Sequence, residues 1–154
     1  MEESKIKILY IDDEVNNLSA FKANFRKLYD IHTAESAEEG RKVLERVDIE
    51  IILTDQRMPN MTGVEFLESI INDFPNPIRI LLTGYTDMQA LIDAVNKGQI
   101  YRYINKPWNE EELKMFINQA HELYTLRKEN EELTKELLKV NNQLEFMIRQ
   151  KLLS

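Results

Sequence analysis

From residue 6 to about residue 118 the sequence alternates short apolar runs with amphipathic stretches, and this restricts the fold more than any other feature. A parallel sheet with helices on both faces produces that order, because a crossover helix must return the chain before the next parallel strand can be laid down. Five strands are predicted, at Ile6–Ile11, 31–33, 49–54, Ile78–Thr83 and 100–104, the second of them weak. Runs such as Ile51-Ile52-Leu53 and Ile80-Leu81-Leu82 are apolar without alternation, as strands covered on both faces require. Helices are predicted at 16–28, 36–47, 63–73 and 87–97. The first of these carries Leu18, Phe21, Phe25 and Leu28 at three- and four-residue spacing. Ser36 with Glu39, and Asp87, read as helix N-caps. The fold class is therefore α/β, a doubly wound five-stranded parallel sheet.

From Glu110 to Ser154 there is neither proline nor glycine, and charged residues interleave with leucines, which predicts one long helix. Its first part, with Leu113, Phe116, Ile117 and Ala120, has the broad apolar face of a helix lying on a sheet. The stripe then narrows to a heptad seam. Leu123, Asn130, Leu137 and Leu144 take the a positions, and Leu126, Leu133, Val140 and Met147 the d positions. Such a seam requires a partner, and a second copy in parallel register is the simplest one. Asn130 at an a position favours two strands, and Glu122 at g would face Arg127 at e of the other chain. The competing readings are that the helix folds back on its own domain, or that it is a linker to a further domain.

A chain of 154 residues accommodates one domain with a full core. No apolar run reaches the roughly 18 residues of a membrane span, and the N-terminus lacks the apolar core of a secretory signal, so the expected address is cytoplasmic. The absence of cysteine excludes disulfides, thiolate metal sites and thiol nucleophiles. A formal charge of −7 argues against direct nucleic-acid binding, which needs clustered cations to displace counterions from phosphates.

Chemistry in an open parallel sheet gathers at the carboxyl ends of its strands. Here those ends carry Asp12, Asp13 and Glu14 after the first strand, Asp55 after the third, Thr83 on the fourth and Lys106 after the fifth. Any one of these alone reads as a cap or loop residue. Together they describe a single site. Carboxylates converging on one point repel one another unless a cation neutralises them, and a few hard oxygen ligands suit magnesium, with manganese as the alternative. A carboxylate beside such a cation can attack phosphorus, and Asp55 is the best placed to do so.

The set Asp12-Asp13, Asp55 within Leu53-Thr54-Asp55-Gln56-Arg57-Met58-Pro59, Thr83-Gly84 and Lys106-Pro107 resembles the receiver domains of bacterial two-component response regulators over residues 5–120. The resemblance implies a (βα)5 flavodoxin-like, chemotaxis-regulator-like fold over 1–120, with 121–154 as a coiled-coil extension of the last helix. It further implies Asp55 as phosphoacceptor, Asp13 and Asp55 as metal ligands, Asp12 as a ligand through water or as a group that supports the ligands, and the Arg57 carbonyl as another ligand. Thr83 and Lys106 would hold the phosphoryl oxygens, Tyr103 would switch with Thr83, and a sensor histidine kinase would supply phosphate. Gly84 stands where the family more often has alanine, and Tyr85 follows it. With Arg57, Tyr85 would crowd the path of hydrolytic water.

Three function classes compete. The leading one is a phosphoacceptor switch that assists only its own chemistry. An aspartyl-phosphate hydrolase is disfavoured because Gln56-Arg57, rather than a second acid two residues on, follows Asp55. A phosphorylation-independent coiled-coil scaffold would have no use for the complete polar set.

Overall fold

A computed structural model describes residues 4–84, 88–97 and 99–153. The elements run β1 (Ile6–Ile11), α1 (Val15–Phe25), β2 (Tyr29–Ala34), α2 (Ala37–Arg46), β3 (Ile51–Asp55), α3 (Gly63–Ile70), β4 (Ile78–Thr83), α4 (Met88–Asn96), β5 (Arg102–Asn105) and α5 (Glu110–Leu153). All strand pairs are parallel, in the order β2-β1-β3-β4-β5. The order reverses direction at β1, so the carboxyl ends of β1 and β3 open onto a crevice between the two windings.

The sheet separates two apolar layers. One joins Tyr10, Phe21, Phe25, Leu53, Leu82 and Ile104 with the inner face of α5. The other joins Leu9, Ile11, Ile52, Phe66, Leu67, Leu81 and Leu91. Neighbouring strand residues feed opposite layers, which is why the central runs are apolar throughout.

β2 is six residues long, not the short strand expected at 31–33. Tyr29 and Asp30 pair with Ile6 and Lys7, and this edge strand shows its exposed polar residues to solvent. Helix α2 begins where predicted, with the Ser36 side chain accepting from the Glu39 amide at 3.2 Å. Helix α3 has a full capping box between Thr62 and Glu65, a pattern present in the sequence but not singled out there. The cap predicted at Asp87 lies outside the described residues.

Helix α5 starts behind Asn109, whose Oδ1 accepts from the Glu112 amide at 3.1 Å. It packs on the sheet through Leu113, Ile117, Ala120 and Tyr124, spaced four, three and four. Burial on this scale is worth about 1.5–3 kcal/mol per large side chain and holds the helix to the domain. Phe116, expected in this face, is only partly buried and carries the Arg102 guanidinium 3.9 Å above its ring. The domain contacts reach Tyr124, one turn past the boundary read at residue 120, and Leu123 is partly buried against the same core. His121 Nε2 lies 2.9 Å from Glu50 Oε2 at the foot of β3. Past Glu131, which with Arg127 and Lys128 lines a cleft beside Pro75 and Asn76, the helix stands clear of the domain.

Candidate phosphoacceptor site

Period-two geometry sends Tyr10 and Asp12 to the same side of the β1 strand end. Asp12 is wholly buried, and its carboxylate is bonded on both oxygens. Oδ2 accepts from the Tyr10 hydroxyl at 3.0 Å, the Asn17 amide at 3.1 Å and the Lys106 ammonium at 3.1 Å. Oδ1 accepts from the Glu14 backbone at 2.9 Å. Lys106 also donates to Asp55 Oδ1 at 2.9 Å, so one ammonium bridges the ends of β1 and β3. Asp13 is exposed on the rim. It contributes a carboxylate oxygen to a cluster with Asp12 and Asp55 in which these atoms all lie within 4.8 Å of one another. An open cleft of about 390 Å³ lined by Asp13, Asp55, Arg57, Gly84 and Lys106 gives access to it.

The backbone around Asp55 is stitched on three sides. Gln56 donates its amide to Leu82 O at 3.2 Å, its carbonyl accepts from Gly63 N at 3.0 Å, and its side-chain oxygen accepts from Val64 N at 3.0 Å. Asn60 turns the loop at φ 72°, a left-handed conformation that asparagine tolerates. Gly63 abuts the acceptor itself: a Cβ there would overlap the Asp55 carbonyl oxygen and come within 2.7 Å of Leu81 Cδ1.

Thr83 is buried at the end of β4, and its carbonyl accepts from Lys106 N at 2.7 Å. Tyr103 pairs with Leu81 on the adjacent strand and packs, half-buried, on the α3–α4 layer. Tyr101 lines the same surface cleft as Tyr103. Trp108, just ahead of α5, packs edge-on against Tyr10 and Phe21 and joins the start of that helix to the core beside the acidic cluster. Tyr85 lies outside the described residues.

Burial raises the Asp55 carboxyl above the ordinary carboxylate range; Lys106 counteracts this and the charge of Asp12 adds to it. Burial also opposes charge on Lys106. The hydrogen bond to Asp55 and the charges of Asp55 and Asp12 outweigh that, so the ammonium is held above its usual range. Tyr10 is pushed upward by burial first and Asp12 second, which leaves its hydroxyl a proton donor. For Asp55, a raised folded value means that the native state takes up a proton at higher pH than the unfolded chain. Its ionised form therefore costs stability at neutral pH, and that cost disappears as pH falls through the raised folded value. In metal-free buffer at pH 7, Asp55→Asn is expected to raise the melting temperature. The gap from wild type should close on acidification. Equal melting curves at pH 7 would contradict this.

The family model for the response regulator receiver domain matches residues 8–118. The chain belongs to that family. This receiver is 37% identical over 137 residues to the hydrogenase transcriptional regulatory protein HoxA of Cupriavidus necator, covering 89% of this chain and 28% of that one. It is 36% identical over 124 residues to HoxA of Bradyrhizobium diazoefficiens, covering 80% of this chain and 26% of the relative. The chain thus spans less than a third of these relatives' length. Among solved structures, a receiver domain protein from Clostridium thermocellum matches with a TM-score of 0.73 at 33% identity, covering 79% of this chain and 98% of that one. A chain described as adenylate cyclase from Rhodopirellula baltica matches with a TM-score of 0.82 at 33% identity, covering 85% and 98%. The fold is the flavodoxin-like receiver fold, and the function is that of a two-component response regulator receiver.

The receiver brings Asp12, Asp13, Asp55 and Lys106 into one cluster from three strand ends, with Thr83 on the fourth. Three residues of this neighbourhood escaped the sequence reading: Tyr10, Asn17 and Gln56. A polar hydroxyl two residues before Asp12, in the otherwise apolar run from Ile8 to Ile11, was the available signal for Tyr10. Nothing local distinguishes Asn17 from an ordinary helix-surface residue.

Proposed function

We propose that Asp55 is the phosphoacceptor of this receiver and that Lys106, Thr83 and the acidic pair Asp12 and Asp13 serve it. The observation that carries the reading is the Lys106 ammonium, 2.9 Å from Asp55 and 3.1 Å from Asp12, inside a cluster of three carboxylates. One lysine leaves this cluster with excess negative charge, which favours a divalent cation. Asp13, Asp55 and the Arg57 carbonyl would hold magnesium, or manganese in its place, and Asp12 would act through water because both its oxygens are already bonded. When bound, the ion supplies charge neutralisation for the transferring oxygens.

In the transfer, an Asp55 carboxylate oxygen attacks the phosphorus of a phosphohistidine on a sensor kinase. The new O–P bond forms as the N–P bond breaks, and the electron pair leaves on the imidazole nitrogen. Lys106 exchanges its carboxylate partner for a phosphoryl oxygen, and the Thr83 hydroxyl takes another. Movement of Thr83 makes room for the Tyr103 ring, which biases one of two packings of the β5 surface. The chain is a switch that assists its own phosphorylation and dephosphorylation, and it acts in the cytoplasm. Its downstream partner meets that surface or the extended α5.

A second copy is the proposed partner of α5. Leu126, Leu133, Leu137, Val140, Leu144 and Met147 are each at least half exposed along one stripe of a helix that leaves the domain. Among the described residues no helix is long and apolar enough to cross a membrane, so a coiled coil is the favoured cover for this stripe.

Incubation with acetyl phosphate and magnesium is expected to add one phosphoryl mass to the peptide containing Asp55. Asp55→Asn should remove it. Undiminished labelling of the Asn variant would place the acceptor elsewhere.

A further inference from the structure

Asp12 depends on a shared donor. Of the three groups bonded to its Oδ2, Lys106 is also the one bonded to Asp55. When Lys106 turns to an arriving phosphoryl group, Asp12 loses its only charged partner among those three while remaining wholly buried. A buried carboxylate that gives up a donor without replacement is strongly disfavoured. That would hold Lys106 back.

The remaining donors are unequal. Asn17 is half exposed and divides its amide between Asp12 at 3.1 Å and Glu14 at 3.2 Å. Tyr10 has no exposed surface, and its ring is wedged 4.7 Å from Phe21 and 6.3 Å from Trp108. With water excluded, its hydroxyl is committed to Asp12.

We infer that Tyr10 is a positioning residue for phosphoryl acceptance, its hydroxyl holding Asp12 bonded and aimed while Lys106 passes from the carboxylates to the phosphoryl oxygens. The inference rests on the assignment of Asp55 and Lys106 above. It predicts that loss of the hydroxyl weakens phosphoryl binding without weakening metal binding, because the direct ligands Asp13 and Asp55 are untouched and Asp12 reaches the ion only through water.

Tyr10→Phe keeps the ring and removes one oxygen. The full chain contains a single tryptophan, Trp108, against the Tyr10 ring, so its fluorescence reports on the site. Titrations with magnesium alone, and with beryllofluoride at saturating magnesium, separate the two steps. Tyr10→Phe is expected to weaken beryllofluoride binding about tenfold to a hundredfold, the scale of one hydrogen bond to a charged group, with magnesium affinity within about twofold of wild type. Tyr29→Phe, which deletes a buried hydroxyl bonded to Asn118 away from the site, should leave both unchanged. In the wild-type chain, the Tyr10 hydroxyl proton should remain protected from exchange by NMR with and without beryllofluoride, a readout independent of how well the variant folds. Equal beryllofluoride affinity in Tyr10→Phe and wild type, or a parallel loss of magnesium affinity, overturns the inference and leaves Asp55 standing. A wild-type chain that binds magnesium but not beryllofluoride overturns the Asp55 reading itself.

Discussion

Gly63→Val is expected to destabilise the domain by about 3 kcal/mol, at the upper end of the cost of overpacking a filled core, and to remove phosphorylation with it. The first residue of α3 sits directly against the carbonyl of Asp55. A side chain there meets backbone on one side and the β4 residue Leu81 on the other. Backbone cannot swing aside as a flexible side chain can. The new volume must push α3 outward, and the bonds from Gly63 N and Val64 N to Gln56 would stretch together. Asp55 would lose the frame that aims it. Gly84 is the control, because a Cβ there meets nothing within 4 Å, so Gly84→Ala should change stability by no more than ~0.5 kcal/mol. Urea unfolding followed by circular dichroism measures both. A Gly63→Val chain as stable as Gly84→Ala would show that α3 is not held against the acceptor.

Paired Leu137→Glu and Leu144→Glu substitutions are expected to convert a dimer to a monomer while the domain keeps its melting temperature. In the single chain these side chains are 70% and 51% exposed and touch none of the core, so charge there costs the domain nothing. In a two-stranded coil each would bring two carboxylates into a dry seam in place of leucines worth about 1.5–3 kcal/mol apiece. An increase in the dissociation constant of more than about a hundredfold follows. Sedimentation equilibrium on the wild type and the variant decides it. A wild-type chain that stays monomeric at tens of micromolar removes the proposed dimer.

The seam shows where one-dimensional pattern reading stops. Leu123 and Leu126 fall on the same heptad stripe, yet Leu123 packs on its own domain and Leu126 is 63% exposed. A leucine facing a sheet and a leucine facing a second helix obey nearly the same spacing. Tyr124, which carries the domain's last buried contact, lies off the seam altogether. The proposed pair between Glu122 and Arg127 straddles this departure point, and Arg127 also lines a cleft with Pro75 and Asn76 of its own domain. A coil that begins at Leu126 places the first free a position at Asn130.

Local periodicity determined the element order, the parallel sheet and the long last helix, because burying a strand on both faces or a helix on one leaves a pattern in neighbouring residues. The acidic ends of β1 and β3 were legible for a related reason: strand ends are where this architecture collects chemistry. Tertiary structure decided everything that depends on residues distant in sequence meeting with a definite orientation. The Tyr10 hydroxyl is bonded to Asp12, His121 is fastened to Glu50 across 71 positions, and a glycine at the start of α3 is pressed against the acceptor. Composition records that a tyrosine, a histidine or a glycine is present. Only the packed chain excludes water from one hydroxyl and leaves it a single carboxylate to bind.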